Sequence, residues 1–271
     1  MKKYVQIEIK PHSGEEGEII IAQLADINFY AFEQKDELLN AYINEEDYDE
    51  TRLIQFLPEN IKYTLRIIEE KNWNQEWEDQ LQPIRIDDFV GIRTIFHKPI
   101  KNVSHEIIIT PKMSFGTGHH ATTFLVIELM QQINFKNKSV LDFGTGTGIL
   151  AIMAEKLGAN HILAIDHDEW SITNAVENIQ ANNCKQIILQ QRNNIIGLPV
   201  VNIIIANINL SILTENSVNF ATLLRSSSHL LISGFLTPDE DQILSSLRKT
   251  GLTKKMGMKK EGWAALLLEK E

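Results

Sequence analysis

The chain has 271 residues, a formal net charge of -10 and 43% hydrophobic residues, a composition typical of a folded globular protein with one large or two modest domains. No apolar run approaches the ~20 residues that span a bilayer, and the first residues break into charge too early for a signal peptide. We therefore expect a cytoplasmic protein that does not act at a membrane. Cys184 is the only cysteine, which excludes an internal disulfide and a cysteine-based zinc site.

The negative charge is concentrated at the start of the chain. Residues 1–70 contain 16 acidic and 7 basic side chains, a net charge of -9, so the rest of the chain is nearly neutral. An acidic surface repels phosphate backbones and attracts basic partners, and we expect no nucleic-acid ligand. Solvation of the surface could by itself explain the acidic excess.

The first part of the chain mixes strand-like alternation with helical spacing. We predict strands over 3–9, 29–33 and 63–68 and helices over 14–24, 37–43 and 47–56. This order is typical of a small α+β domain with a split-βαβ, ferredoxin-like topology. A linker helix is predicted over 71–82, where Trp73, Trp77 and Leu81 recur every four residues and form one apolar stripe.

From residue 83 onward strands and helices alternate regularly. Short apolar strands at 84–99 and 106–110 lead into this part, and a helix is predicted over 124–133. We then predict strands over 139–143, 161–166, 186–190, 202–207 and 228–234 and helices over 149–157, 169–182, 210–225 and 238–250. Such alternation predicts an open, mostly parallel α/β sheet covered on both faces. The last two predicted strands, at 252–259 and 263–268, follow each other without a helix and form a terminal hairpin.

A glycine-rich turn follows the strand at 139–143. Glycines let a ligand approach the backbone and a helix start offers N–H donors, so the turn predicts a nucleotide-binding site. The glycines fall at Gly144, Gly146 and Gly148, whereas a dinucleotide fingerprint needs its third glycine one residue later. An acid at the strand end, Asp142, followed by alternate glycines resembles the first motif of Rossmann-like S-adenosylmethionine methyltransferases. The ligand of those enzymes carries an amino acid instead of a diphosphate.

Two further strands end in polar residues. Asp166 ends the second strand at the distance where such folds hold a ribose, and we favour ribose binding over its alternative role as a helix N-cap. Asn207 ends the fourth strand, where the crevice over the strand ends places the reaction centre. Asparagine at a strand end can also be a simple turn former, but its place in the sheet order favours an active-site role.

The loop at 113–123 contains two glycines, two histidines and three threonines, a composition that favours ligand contact. His119 and His120 are adjacent and no HExxH motif accompanies them, so we expect no metal site. Thr122 and Thr123 could cap the next helix or contact the ligand, and the local chemistry does not choose between the two.

Three motifs in order resemble the bacterial ribosomal protein methyltransferase family PrmA. They are Phe-Gly-Thr-Gly-His-His-Ala-Thr-Thr at 115–123, Leu-Asp-Phe-Gly-Thr-Gly-Thr-Gly-Ile-Leu-Ala-Ile at 141–152 and Ile-Ala-Asn-Ile at 205–208. The resemblance covers most of 73–271 and is weak over 1–70. It implies transfer of methyl groups from S-adenosylmethionine to lysine side-chain and N-terminal amines of the large-subunit ribosomal protein L11. A seven-stranded methyltransferase sheet with an antiparallel last strand would fit the terminal hairpin.

The resemblance also implies roles for particular residues. The cofactor-binding positions correspond to Thr123, Gly144, Asp166 and Asn207, with Gly146 in the same turn and Phe115 in the loop near the cofactor. Asn207 is the candidate catalytic residue, because its oxygen could align the attacking amine. No general base stands out, since proton loss to water before binding suffices.

The implied organisation is a substrate-recognition domain over 1–70, a linker over 71–82 and a methyltransferase domain over 83–271. The acidic first domain would attract the basic ribosomal protein, and we expect a monomer. Alternatives are a methyltransferase of another protein or of a small-molecule amine, and a cofactor-binding module without catalysis. A nucleic-acid methyltransferase would typically show Pro-Pro-aromatic after Asn207, where Ile-Asn-Leu stands.

Overall fold

The computed structural model describes residues 3–11, 13–35, 38–58, 61–69, 82–110 and 116–271. The chain divides into two compact units, Met1–Leu81 and Gln82–Glu271, and each is described by itself. The predicted linker helix, except for Gln82, and the predicted site residue Phe115 lie outside the described residues. No helix within the described ranges has the length and apolar character required to cross a membrane.

The first unit is an antiparallel sheet with helices in the split-βαβ order. Its strands are β1 (Lys3–Ile9), β2 (Ala31–Lys35), β3 (Leu38–Asn44) and β4 (Tyr63–Glu69), and its helices are α1 (Gly14–Ala25) and α2 (Glu50–Phe56). The strand order β2-β3-β1-β4 is that of the predicted ferredoxin-like topology. Alternate residues of β1 and β3, including Ile7, Ile9 and Ala41, are buried in one core with residues of α1 and α2.

The predicted helix at 37–43 is wrong, because this segment forms β3. Its residues pair with β1 on one side and with β2 on the other. The apolar residues at 38, 39, 42 and 43 fit helical spacing, whereas burial alternates over Leu39, Ala41 and Ile43. A short segment between two strands gains more from completing their hydrogen bonds than from an isolated helix. The acidic turn Glu45–Asp47 is a single 3-10 turn, and the helix that follows begins only at Glu50.

The second unit starts with a small sheet of its own. The strands β5 (Ile84–Ile86), β6 (Val90–Arg93) and β7 (His105–Ile108) lie in the order β5-β6-β7, so the expected lead-in strands form a separate layer.

Two asparagines fix the end of β7 and the residues after it. Asn178 lies on helix α5 (Glu169–Ala181), and Asn182 is the C-cap of that helix. Asn182 Oδ1 accepts from the Ile108 amide at 3.0 Å, and Asn178 Oδ1 accepts from the Thr110 amide at 2.8 Å. Asn178 Nδ2 also donates to the Thr147 carbonyl at 2.9 Å.

The rest of the second unit is the predicted seven-stranded α/β sheet. Its strands are β8 (Ser139–Phe143), β9 (His161–Asp166), β10 (Ile187–Gln191), β11 (Val201–Asn207), β12 (Leu224–Leu236), β13 (Leu252–Lys260) and β14 (Trp263–Lys270). The order is β10-β9-β8-β11-β12-β14-β13, with β14 antiparallel to both of its neighbours and the first five strands parallel. This confirms the methyltransferase-type sheet. Neighbouring residues of β8, Val140 and Leu141, enter different core clusters on the two faces.

The helices of this unit cover both faces of the sheet. Besides α5 they are α3 (Ala121–Met130), α4 (Ile149–Lys156), α6 (Leu210–Glu215), α7 (Ser217–Leu223) and α8 (Glu240–Arg248). The predicted helix 210–225 is divided at Asn216, which caps the end of α6 and lies between the two shorter helices. The helix predicted from 124 begins three residues earlier, at Ala121.

A carboxyl group lies buried in the centre of this sheet. Asp142 on β8 has no exposed surface, and its Oδ2 accepts from the Thr145 hydroxyl at 2.6 Å, while Oδ1 has no hydrogen-bond partner among the described residues. Burial raises the pKa of Asp142 to about 7, against the opposing effect of the Thr145 hydroxyl and with a smaller contribution from Asp166.

We expect Asn178→Ala to destabilise the protein by about 2–4 kcal/mol, because two backbone groups lose their partner at a buried site. Thr173→Ala on the exposed side of the same helix removes only a bond to Glu169 and is the control. Urea unfolding of both variants measures the difference. Equal stabilities would show that α5 is not needed to hold the segment after β7.

We expect Asp142→Asn to change how stability depends on pH. The folded-state pKa lies above the unfolded value of 3.8, so the folded state favours the protonated acid, and that stabilisation is lost as pH rises from about 4 to about 7. The variant has no such group and gains stability over the wild type across that interval. Thermal unfolding at a series of pH values checks this, and a constant difference between the two proteins would contradict the buried carboxylate's role.

Candidate functional site

A cleft of about 770 Å³ opens at the carboxyl ends of the central strands. The cleft lies there because the parallel strands end at the same edge of the sheet. The strand order reverses between β8 and β11, and this reversal leaves a crevice. Most of the residues that line it come from the carboxyl ends of five strands and the segments that follow them, and the start of α3 and the start of β14 provide the others. The lining residues are His120, Thr122, Phe143, Gly144, Gly146, Asp166, His167, Asp168, Ser171, Arg192, Asn193, Asn207, Ile208, Asn209, Ile212, Gly234 and Trp263.

The glycine turn after β8 forms one wall of the cleft. Gly144 has a φ of +77°, and a Cβ placed there would lie 2.3 Å from Cγ2 of Ile208. Only glycine therefore lets the loop after β11 lie against the turn. Gly234 at the end of β12 is constrained in the same way, since a Cβ there would lie 2.2 Å from the carbonyl oxygen of Ile208.

The amides of this turn are bonded within the protein. Gly144 and Thr145 both donate to the Ile165 carbonyl, at 2.9 and 3.0 Å, and Gly146 donates to Asp166 Oδ2 at 2.9 Å. A phosphate would need such N–H groups directed at itself. These amides are therefore not directed at a phosphate, which agrees with the absence of a dinucleotide fingerprint. A ligand would instead pack against the glycines of the turn.

Asp166 lies at the end of β9 with 7% of its surface exposed. Its Oδ2 accepts from Gly146 and its Oδ1 from the Asp168 amide at 3.1 Å, and each carboxylate oxygen keeps a second lone pair for a further donor. Asp166 does not cap the next helix, because Asp168 is the N-cap of α5 and its Oδ2 accepts from both the amide and the hydroxyl of Ser171 at 3.0 Å. These bonds also lower the pKa of Asp168.

Asn207 lies at the end of β11 and is 8% exposed. Its Nδ2 donates to the hydroxyl oxygen of Thr123 at 3.5 Å. Asn207 Oδ1 is buried and has no hydrogen-bond partner among the residues that the structure describes. An acceptor that is desolvated without a partner is destabilising, and its presence here indicates that a ligand donor completes it.

The end of the loop before α3 and the first turn of α3 also line the cleft. His120 is the N-cap of α3, accepting from the Thr122 amide through Nδ1, so neither Thr122 nor Thr123 has the capping role considered from the sequence. The imidazole of His120 meets the Trp263 indole edge to face, with ring centroids 4.8 Å apart. His119 does not line the cleft, and its Nε2 lies 3.1 Å from the Gln82 carbonyl oxygen.

The structure brings Gly144, Gly146, Asp166 and Asn207 into the cleft, while Thr123 contacts it only through Asn207. Sequence reasoning gave no site role to Trp263, which begins the antiparallel strand β14, or to Arg192, which follows β10. Arg192 directly follows a predicted strand, and this position could have identified it as a residue of the cleft. Nothing local marks Trp263, because it reaches the cleft through the hairpin between distant strands.

The chain matches one protein family over almost its full length. The family described as ribosomal protein L11 methyltransferase (PrmA) matches residues 6–271. A ribosomal protein L11 methyltransferase of Phocaeicola vulgatus is 36% identical over 275 residues, covering 97% of this chain and 98% of the relative. The protein of the same name in Bacteroides thetaiotaomicron is 38% identical over 258 residues, covering 92% of each chain.

A solved structure supports the same relationship. The ribosomal protein L11 methylase of Lactobacillus delbrueckii subsp. bulgaricus superimposes with a TM-score of 0.66 at 28% identity, over 70% of this chain and all of that chain. The curated relatives are more than 30% identical over most of the sequence. This similarity is greater than a shared fold alone would explain. The chain belongs to the ribosomal protein L11 methyltransferase (PrmA) family.

Proposed function

We propose that the chain transfers methyl groups from S-adenosylmethionine to lysine side-chain and N-terminal amines of ribosomal protein L11. The observation that carries the chemistry is Asn207 Oδ1 at the tip of β11, which is buried and has no hydrogen-bond partner in the described part of the chain. Family membership supports the substrate, since relatives with 36–38% identity have the name ribosomal protein L11 methyltransferase.

The residues present fit S-adenosylmethionine in size and chemistry. The cleft volume of about 770 Å³ lies within the usual range for small-molecule sites, roughly 300–1,000 Å³. The turn at Gly144 and Gly146 would hold the amino-acid portion, because these glycines have no side chain and let a ligand approach the backbone. Asp166 would accept from the two ribose hydroxyls through its remaining lone pairs. When bound, S-adenosylmethionine supplies an electrophilic methyl group from its sulfonium.

The protein's own part in catalysis is to present a neutral amine. A lysine with a pKa of ~10.4 is neutral in only about one molecule in a few thousand at pH 7. The apolar side chains of Phe143, Ile208 and Trp263 line the cleft and disfavour the charged ammonium, so the neutral amine is the form that binds. This amine has lost its proton to water before it enters the cleft.

Asn207 then orients the neutral amine. Its Oδ1 accepts one amine N–H, which directs the nitrogen lone pair into the cleft. Thr123 holds Asn207 in this orientation, because the hydroxyl oxygen accepts from Nδ2 and leaves Oδ1 toward the ligand. Positioning of this kind supplies up to roughly 7–11 kcal/mol of a barrier. His120 serves as a helix cap and aromatic wall and is not required as a base.

We expect Asp166→Asn to weaken S-adenosylmethionine binding at least tenfold, because charged hydrogen bonds to the ribose contribute about 1.5–3 kcal/mol each. Glu169→Gln is the matched control, since this acid is exposed on α5 outside the cleft. Titration calorimetry gives both affinities. An affinity of the Asp166 variant equal to that of the wild type would remove the ribose assignment.

We expect Asn207→Ala to lower kcat for L11 methylation roughly a hundredfold, because the amine loses the acceptor that orients it. His120→Ala should retain appreciable turnover, as its cap and ring contact are structural. Radiolabelled methyl transfer to purified L11, with mass spectrometry of the product, measures both. A loss for His120→Ala as large as that for Asn207→Ala would instead assign His120 to the chemistry.

A further inference from the structure

The connection from β10 to β11 is unlike the others in the large sheet. It crosses β9 and β8, and its residues 192–200, all of which the structure describes, form no helix or strand. We call 192–200 the crossover segment. The connections β8 to β9, β9 to β10 and β11 to β12 each contain one or two helices. Helices in such connections normally cover the faces of a parallel sheet, so one face of β8, β9 and β10 has little cover here.

The apolar residues on that face become more exposed toward the edge of the sheet. Leu141, Leu163 and Ile188 pair across β8, β9 and β10 and therefore lie in one row on the same face. Leu141 is 1% exposed, Leu163 is half-buried and Ile188 is 64% exposed. In the crossover segment, Ile196 is 67% and Val200 44% exposed. The row thus continues from the core into an open apolar groove.

This groove is separate from the cleft at the strand ends. Leu198 and Pro199 of the crossover segment line it together with the apolar row, and Arg192 is the residue that lines both the groove and the cleft. Arg192 Nη2 donates to the Ile196 carbonyl and so holds the crossover segment in its bend. The volume of about 590 Å³ lies within the usual range for small-molecule sites, roughly 300–1,000 Å³. We call this cavity the β10 groove.

The amino ends of the strands give the β10 groove a polar end. Asn160 and His161 line it at the start of β9, and Lys185 lines it just before β10. The Asn160 amide donates to the Lys138 carbonyl at 3.2 Å, whereas its Oδ1 is buried and has no hydrogen-bond partner among the described residues. A desolvated acceptor of this kind indicates a ligand that offers an N–H or O–H group.

The charge at this polar end is positive. Lys185 and Arg192 are the lysine and arginine of the groove lining, and no Asp or Glu of the described ranges lines it. The acid nearby is Glu155 on α4, whose two oxygens accept from the two amides before β10 at 2.7 and 2.8 Å. Lys138 before β8 and Lys156 beside Glu155 are further cations at this end of the sheet. The balance of charge favours an anionic ligand.

We propose that the β10 groove binds a small amphiphilic carboxylate with the chemistry of an N-acyl amino acid. The carboxylate would lie at Lys185, the amide N–H at Asn160 Oδ1, and the acyl chain along Leu163 and Ile188. Each part of such a ligand meets a feature that the fold leaves incomplete: an unneutralised cation, an acceptor without a donor and an exposed apolar row. The site does not depend on the methyl-transfer reaction.

The test is titration calorimetry of the full-length protein with N-decanoylglycine. We expect Lys185→Gln to weaken binding about tenfold, because the carboxylate loses its cation. Ile188→Asp should weaken it by about tenfold or more, because it places a negative charge on the floor of the groove. Both side chains are exposed, so neither substitution disturbs the core. Val218→Asp on α7 is the matched control, since Val218 is 60% exposed and lies outside the groove.

Two comparison ligands test the two polar contacts. Decanoate has no amide donor and should bind several-fold more weakly than N-decanoylglycine, and decyltrimethylammonium, which has the opposite charge, should not bind. The affinity for S-adenosylmethionine should stay the same in all three variants, because none of the substituted residues lines the cleft.

Three results would overturn the proposal. They are a wild-type protein that does not bind N-decanoylglycine, an affinity that is the same in the wild type and both groove variants, and equal binding of the anionic and cationic ligands. Sedimentation velocity tests another occupant of the same face. A wild-type dimer that Ile188→Asp dissociates would assign the groove to a second copy of the chain and also overturn the proposal. Circular dichroism confirms that each variant is folded.

Discussion

The hydrogen bond from the Gly146 amide to the Asp166 carboxylate joins the two motifs on which the cleft depends. It connects the turn after β8 to the end of β9, and the Ile165 carbonyl adds two further bonds from the same turn. These contacts keep the glycines in their left-handed conformations and fix the Asp166 side chain in place. The wall of the cleft is therefore rigid before any ligand arrives, which reduces the entropy lost on binding.

The other side of the cleft follows from a close approach of backbones. Ile208 lies against Gly144 on one side and Gly234 on the other, at distances that no side chain at those glycines would permit. This packing places the loop after β11 directly over the turn, with Asn207 at its start. Asn207 Oδ1 is buried there without a hydrogen-bond partner among the described residues, an arrangement that suits a ligand with an N–H donor.

The two units divide the energetics of the proposed reaction between them. The second unit provides the cleft, whereas the first unit holds nearly all of the excess negative charge. Long-range attraction by that charge can raise the local concentration of a basic substrate without changing the chemistry of the cleft.

The sequence by itself determined the seven-stranded sheet, the ferredoxin-like first unit, the glycine turn and the polar residues at two strand ends. It could do so because each of these depends on local periodicity or on motifs of a few residues. The same local evidence failed at 37–43, where the helical spacing did not reveal the pairing of β3 with the adjacent strand β2 and with the distant strand β1. It also left the helix cap before Ala121 undecided, which His120 supplies.

Only the tertiary structure decided which groups meet. The contact between His120 and Trp263, the bond from the Gly146 amide to Asp166 and the bond between Asn207 and Thr123 join residues between about 20 and 140 positions apart. No local pattern encodes such pairs, because they arise when separate elements pack together.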